Sequence, residues 1–172
     1  MSRLRFFVFL PVLVGCVSSG LASEGLEARL RRATVRLAVA TDEGNAVASG
    51  TVVKRDGSNA LVVTCGHLFR GVTGRPTVHV TVFAPAGQQR LKGEILAYDD
   101  YVDVGLVKVY DLSSVEPIPL GAFDENPEIG EAVLVAGCDG GGDPRVLTTR
   151  VTALARYAGR PNLEVEAIPE KG

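Results

Sequence analysis

Apolar and polar residues alternate over short stretches along much of the chain, the pattern of half-buried β-strands. The alternation is clearest at residues 33–39 and 77–83. Shorter apolar runs separated by turn-forming residues predict further strands at 48–53, 60–64, 93–97, 104–109, 132–136, 145–153 and 163–167. Only residues 24–32 have the spacing of an amphipathic helix. Many short strands with turns between them predict an all-β sandwich or barrel.

Two breaks in this pattern have different compositions. The first, at residues 55–59, contains Asp56-Gly57 between two apolar runs, which predicts a hairpin. The second, at residues 111–130, is rich in Pro, Ser and acidic residues and shows no strand periodicity. It separates the first group of predicted strands from the last three.

The N-terminal segment has the organisation of a signal for export. Arg3 and Arg5 precede an apolar run over residues 6–17, which is too short to span a membrane and suits a signal-peptide core. The small residues at 20–22 predict a signal peptide of residues 1–22, cleaved before Ser23. In the alternative, residues 13–16 form a lipobox and Cys16 carries a lipid. Both alternatives predict an exported chain, periplasmic or extracellular. Contact with a membrane is expected only in the second alternative, through the lipid on Cys16.

Composition excludes several classes of protein. Apolar residues make up 46% of the 172 residues, enough for a core, so bulk disorder is excluded. The formal net charge of −2 argues against a nucleic-acid-binding protein. There is no Cys/His cluster with metal-ligand spacing, so we expect no metal and no other cofactor. The sequence carries no signal for an oligomeric state.

Two cysteines lie outside the signal segment, Cys65 and Cys138. In an exported protein they form one disulfide or remain as two buried thiols. The sequence does not give the Cα separation that a disulfide requires, so both alternatives stay open.

One histidine and one aspartate occupy positions that suit acid–base chemistry. His67 follows the predicted strand at 60–64, and Asp103 precedes the one at 104–109. A histidine can take a proton from a nucleophile, and a carboxylate can orient its ring and stabilise the imidazolium. The chain order His, Asp, Ser is one of the known orders of that triad. The second histidine, His79, lies within an alternating strand, where solvent exposure or local packing is expected.

The same residues carry a family resemblance. The chain resembles trypsin-like serine proteases of the chymotrypsin fold, in particular the HtrA-like bacterial branch. The matching segments are a Ser-Gly-Thr strand entry, a histidine motif, an aspartate motif with a second Asp four residues earlier, and a passage into a second barrel: residues 49–53, 63–67, 99–108 and 119–137. The chain departs from the pattern at Gly66 and Gly105, where Ala is more usual, and at residues 138–142, which replace the usual turn.

The resemblance implies a fold and an activity. It implies a double β-barrel, with a first barrel at about 33–110 and an incomplete second barrel at about 130–172. It implies a serine endopeptidase acting on protein or peptide substrates, with His67 as base and Asp103 as its partner. The nucleophilic serine is expected beyond the last residue, with Gly172 as the first glycine of its motif and an oxyanion-hole donor.

Three alternatives accompany this hypothesis. Cys138 is a poor candidate nucleophile, because residues 137–141 are out of register with the Gly-x-Cys-Gly-Gly of viral relatives. A protease-like domain without catalysis would serve as a binding module. A free-standing β-barrel binding domain, with the motifs present by chance, is the third.

Overall fold

The computed structural model describes residues 20–42, 44–85, 87–121, 127–157 and 160–166. Helix α1 (Gly20–Ala33) contains the helix predicted at 24–32. It is followed by β1 (Thr34–Thr41), β2 (Gly44–Asp56), β3 (Asn59–Thr64), β4 (Val78–Ala84), β5 (Gly87–Asp99), β6 (Val104–Val109), β7 (Ala132–Gly137), β8 (Arg145–Tyr157) and β9 (Arg160–Val165). Two short 3-10 turns lie at Gly66–Phe69 and Asp139–Gly141. No helix of these ranges is long and apolar enough to cross a membrane.

The first six strands form a closed antiparallel barrel in the order β1-β2-β3-β6-β5-β4. Alternate residues point inward, and β-branched side chains fill the interior, among them Val35, Val52, Val62, Val80 and Val107, all of them buried. A valine fits this position because its branched side chain packs against neighbours on a pleated surface. The barrel confirms the predicted all-β fold.

The Asp56-Gly57 signal marks a real hairpin. Asp56 pairs with Asn59, and Gly57 takes a φ of +60°, a conformation that glycine adopts without steric cost. Three strands begin three or more residues earlier than predicted: β2 at Gly44 rather than residue 48, β5 at Gly87 rather than residue 93, and β9 at Arg160 rather than residue 163. Their first residues are largely exposed or polar, so hydrophobic periodicity does not detect them.

The polar segment after β6 packs against the barrel instead of extending into solvent. Leu112, Val115 and Ile118 are buried in the core. The backbone N–H of Ile118 donates to the carbonyl of Val52 at 2.9 Å. Arg29 of α1 reaches Glu116 of this segment at 3.0 Å, so helix and segment together cover part of the barrel.

The last three strands form a separate antiparallel sheet in the order β7-β8-β9. The turn between β7 and β8 contacts the barrel. The backbone N–H of Cys138, at the start of this turn, donates a hydrogen bond to the hydroxyl of Ser49 at 2.8 Å. The Arg36 guanidinium donates to the carbonyl of Gly141 in the same turn. A closed barrel beside a three-stranded sheet matches the predicted double barrel with a partial second half. Predicted strand residue 167 and the candidate residues Cys16 and Gly172 lie outside the described residues.

Candidate active site

His67 is placed by a short turn at the end of β3. The strand ends at Thr64, and the 3-10 turn Gly66–Phe69 follows. Leu68 and Phe69 are buried in the core and anchor the turn, whereas the His67 side chain remains 31% exposed. The buried neighbours therefore fix the backbone and leave the imidazole accessible.

Asp103 is the last residue of the loop that joins β5 to β6. Asp99 and Val104 form the closing pair of that hairpin, so the loop contains four residues. Asp103 has a φ of +58°, in the left-handed region that Asp and Asn occupy more readily than most residues. Asp103 takes this conformation immediately before Val104, the first residue of β6.

His67 and Asp103 make three close contacts, two through the imidazole ring and one through the backbone of His67. His67 Nδ1 lies 3.0 Å from Asp103 Oδ1 and 2.9 Å from Oδ2. The backbone N–H of His67 also donates to Oδ1, at 2.8 Å. Because an ionised carboxylate only accepts hydrogen bonds, Nδ1 must be the protonated ring nitrogen. A neutral ring then has a lone pair on Nε2, the atom that a general base requires.

The ionisation of Asp103 reflects two opposing effects. Partial burial raises the pKa of the carboxyl, since its side chain is only 24% exposed. Hydrogen bonds from the His67 ring and backbone outweigh that effect and hold the pKa of Asp103 below its ordinary value. Arg70 contributes a smaller effect in the same direction. The carboxylate therefore stays ionised throughout the neutral range.

Two glycines allow the elements of this site to approach closely. A Cβ on Gly66 would lie 2.5 Å from the carbonyl oxygen of Asp99, a distance that no backbone contact permits. A Cβ on Gly105 would lie 2.5 Å from Cε2 of Phe69. These are the two positions at which the chain departs from the resembled histidine and aspartate motifs, and both lie where the turn of His67 packs against the β5–β6 hairpin.

The structure corrects one of the two cysteine alternatives. Cys65 and Cys138 are both buried free thiols, so the disulfide is not formed. Their side chains have different surroundings, with Cys65 beside Leu68 and Asp103 and Cys138 beside Ser49 and Arg36. Burial raises the pKa of both thiols, that of Cys138 to about 11. A thiol so rarely ionised is a poor nucleophile, which agrees with the out-of-register motif at residues 137–141.

Within the described residues, neither the second histidine nor a serine joins the His67–Asp103 pair. His79 is exposed on β4. No group of three or more His, Cys, Asp or Glu side chains within the described ranges has an arrangement that could hold a metal ion. Ser49 is buried and accepts the Cys138 N–H, whereas Ser58, Ser113 and Ser114 are exposed in turns and in the segment after β6.

Two contacts near the site were missed by reasoning from sequence. Arg70 Nε donates to Asp100 Oδ1 at 2.7 Å, which joins the turn of His67 to the loop of Asp103. The Asp99 carboxylate accepts backbone N–H groups of the same loop. The Asp-x-x-x-Asp spacing was visible in the sequence, but the role of the first Asp was not.

Comparisons with known proteins agree with this fold. The trypsin-like peptidase domain family matches residues 48–172. A serine protease Do-like HtrA of Lactococcus lactis subsp. lactis (strain IL1403) is 28% identical over 89 residues, which are 52% of this chain and 20% of that protein. The chain thus spans about a fifth of the length of this curated relative.

Solved structures show the same architecture. The crystal structure of Deg5 superposes with a TM-score of 0.67 at 19% identity, covering 86% of this chain and 74% of Deg5. The serine endoprotease from Yersinia pestis gives a TM-score of 0.62 at 17% identity, covering 81% of this chain and 47% of that one. At such identities the structures establish the fold alone. The match over residues 48–172, with the HtrA homologue, shows that the chain belongs to the trypsin-like peptidase domain family.

Proposed function

We propose that this chain is the N-terminal part of an exported serine endopeptidase that hydrolyses peptide bonds with a His-Asp-Ser triad. The single observation that carries the proposal is the pairing of His67 Nδ1 with both oxygens of Asp103. Membership of the trypsin-like peptidase family supports the same reaction class. The nucleophilic serine is proposed to lie in sequence that follows Gly172.

In the proposed mechanism, His67 transfers the protons and Asp103 stabilises its charged form. Nε2 of His67 accepts the serine proton as the hydroxyl attacks the peptide carbonyl carbon, and a tetrahedral oxyanion forms. The imidazolium is stabilised by the adjacent Asp103 carboxylate, which does not itself take the proton. His67 then protonates the leaving amine, and a water molecule hydrolyses the acyl-enzyme by the same sequence of transfers.

Further groups complete the proposal. The backbone N–H of Gly172 is proposed as one donor to the oxyanion, since a glycine before the serine serves that purpose in the resembled motif.

Arg3, Arg5 and the apolar run that follows support export to the periplasm or the extracellular space. Cys16 is the proposed lipid attachment site if the lipobox operates, and the protein substrate would then meet the enzyme at a membrane surface.

The test needs a protein in which the chain continues beyond Gly172. Casein turnover is measured for the wild type, for His67→Ala and for the matched control His79→Ala, which alters the exposed histidine of β4. We expect His67→Ala to lower kcat about 10⁶-fold and His79→Ala to leave it unchanged. Full activity in His67→Ala contradicts the proposal. A wild type that binds peptide without cleaving it supports the protease-like binding module instead.

A further inference from the structure

We propose that Asp99 is a positioning residue whose carboxylate holds the β5–β6 loop in the shape that presents Asp103 to His67. The catalytic importance of this inference rests on the proposed function. The contacts that support it are all made by described residues. Asp99 touches no reacting atom and acts only through Asp103.

The carboxylate of Asp99 organises the loop from its first position. Oδ1 accepts the backbone N–H of Tyr101 at 2.7 Å and that of Val102 at 3.0 Å. An Asp that binds the backbone two and three residues ahead stabilises a turn in the same way as a backbone carbonyl. The two amides held in this way directly precede Asp103.

The loop must hold Asp103 in an unusual conformation. Its φ of +58° is uncommon for a residue with a side chain, and it persists only where the surroundings fix it. The Asp99–Val104 pair closes the loop on one side, and the two amide bonds to Asp99 fix its interior. With these three constraints, little freedom remains for the Asp103 backbone.

The backbone of Asp99 also meets the turn that carries His67. Its carbonyl oxygen lies 2.5 Å from the position that a Cβ on Gly66 would take, so Gly66 packs directly against Asp99. The side chain of Asp99 thus organises the loop of Asp103 while its main chain contacts the turn of His67. Asp99 therefore contacts both the loop that carries Asp103 and the turn that carries His67.

The neighbouring acid, Asp100, provides a matched control. Asp100 is half-exposed and pairs with Arg70 at 2.7 Å, but it accepts neither loop amide. Exposed ion pairs of this kind contribute little to stability. Asp100→Ala therefore removes a nearby negative charge and an ion pair while leaving the Asp99 hydrogen bonds in place.

The experiment measures the tautomer of His67 in the full chain. The imidazole nitrogens of ¹⁵N-histidine-labelled protein are recorded by NMR at a pH where the rings are neutral, with His79 as an internal reference. We expect the Nδ1–H form of His67 in the wild type, in Asp99→Asn and in Asp100→Ala. The asparagine side chain retains an Oδ1 acceptor for the two amides. In Asp99→Ala the ratio of Nδ1–H to Nε2–H should fall about fivefold, the size of effect expected for losing a side-chain-to-backbone hydrogen bond.

The outcomes separate this inference from the proposed function. A wild type without the Nδ1–H form overturns the His67–Asp103 pair and with it the proposed function. A wild type with that form, and a folded Asp99→Ala with an unchanged ratio, overturns only the role of Asp99. An Asp99→Asn variant as impaired as Asp99→Ala also overturns it, because charge and not the acceptor would then be responsible. If Asp99→Ala does not fold, Asp99→Val replaces it, because Val also lacks a side-chain acceptor and suits the end of a strand, and a ratio equal to the wild type contradicts the inference.

Discussion

Asp103 accepts two hydrogen bonds from His67, one from the ring Nδ1–H and one from the backbone N–H. The second bond, at 2.8 Å, ties the carboxylate to the turn itself, so the carboxylate and the imidazole are held to the same piece of backbone. A carboxylate held in this way fixes both the tautomer and the direction of the ring.

Replacing that carboxylate by an amide should keep the fold and remove the chemistry. In the protein extended beyond Gly172, we expect Asp103→Asn to lower kcat about 10⁴-fold, because an amide no longer enforces the Nδ1–H tautomer. Steady-state hydrolysis of a peptide substrate measures the effect. Activity within a factor of a few of the wild type would remove Asp103 from the triad.

The depressed pKa of Asp103 predicts a loss of stability in acid. Below the ordinary carboxyl pKa of about 3.9, the unfolded state binds a proton that the folded state does not yet bind. The contribution of Asp103 is therefore present above the unfolded pKa and is lost as pH falls through the folded pKa. Urea unfolding of the chain between pH 6 and 2 should show a steeper acid loss for the wild type than for Asp103→Asn. Parallel curves would be incompatible with the His67 hydrogen bonds.

Gly66→Ala should destabilise the chain although Ala is usual at this position in the resembled family. The added Cβ would lie 2.5 Å from a backbone oxygen that a rotamer change cannot move. We expect a loss of about 1–3 kcal/mol in the free energy of unfolding, the range for overpacking. Gly25→Ala serves as the control, since a Cβ there meets no atom within 4 Å. Equal stability of Gly66→Ala and Gly25→Ala would show that the turn and the hairpin are not in contact.

Gly105→Ala should be rescued by shortening Phe69. The added Cβ meets the edge of the Phe69 ring, a side chain that a smaller residue can replace. A double-mutant cycle with Phe69→Leu should give a favourable coupling of about 0.5–3 kcal/mol in unfolding free energy, the range for contacting residues. Additive effects of the two substitutions would contradict the direct contact.

Both thiols should be protected in the folded chain and available after unfolding. With Cys16→Ser to leave only Cys65 and Cys138, a thiol reagent should titrate two groups in denaturant without reductant. In the folded state at pH 8, Cys138 should react at least about a hundredfold more slowly than a free thiol, since its pKa is raised to about 11. Finding no free thiol in denaturant would restore the disulfide.

Local alternation in the sequence predicts most of the strands, and the resemblance of the histidine and aspartate motifs to those of trypsin-like proteases implies the pairing of His67 with Asp103. Alternating residues define a strand whatever its partner, and a histidine motif is a contiguous segment. The burial of Leu112 and Ile118 in a polar segment could not be predicted, since it depends on the barrel they cover. The positive φ of Asp103 and the hydrogen bonds of Asp99 likewise follow from how the hairpin closes.

The central claim is that His67 activates a serine that follows this chain. The most direct measurement treats the extended protein with a fluorophosphonate, which reacts covalently with activated serines, and locates the adduct by peptide mass spectrometry. We predict one adduct, on a serine C-terminal to Gly172, present in the wild type and in His79→Ala and absent in His67→Ala. An adduct that persists in His67→Ala, or a wild type with no adduct, would contradict the claim.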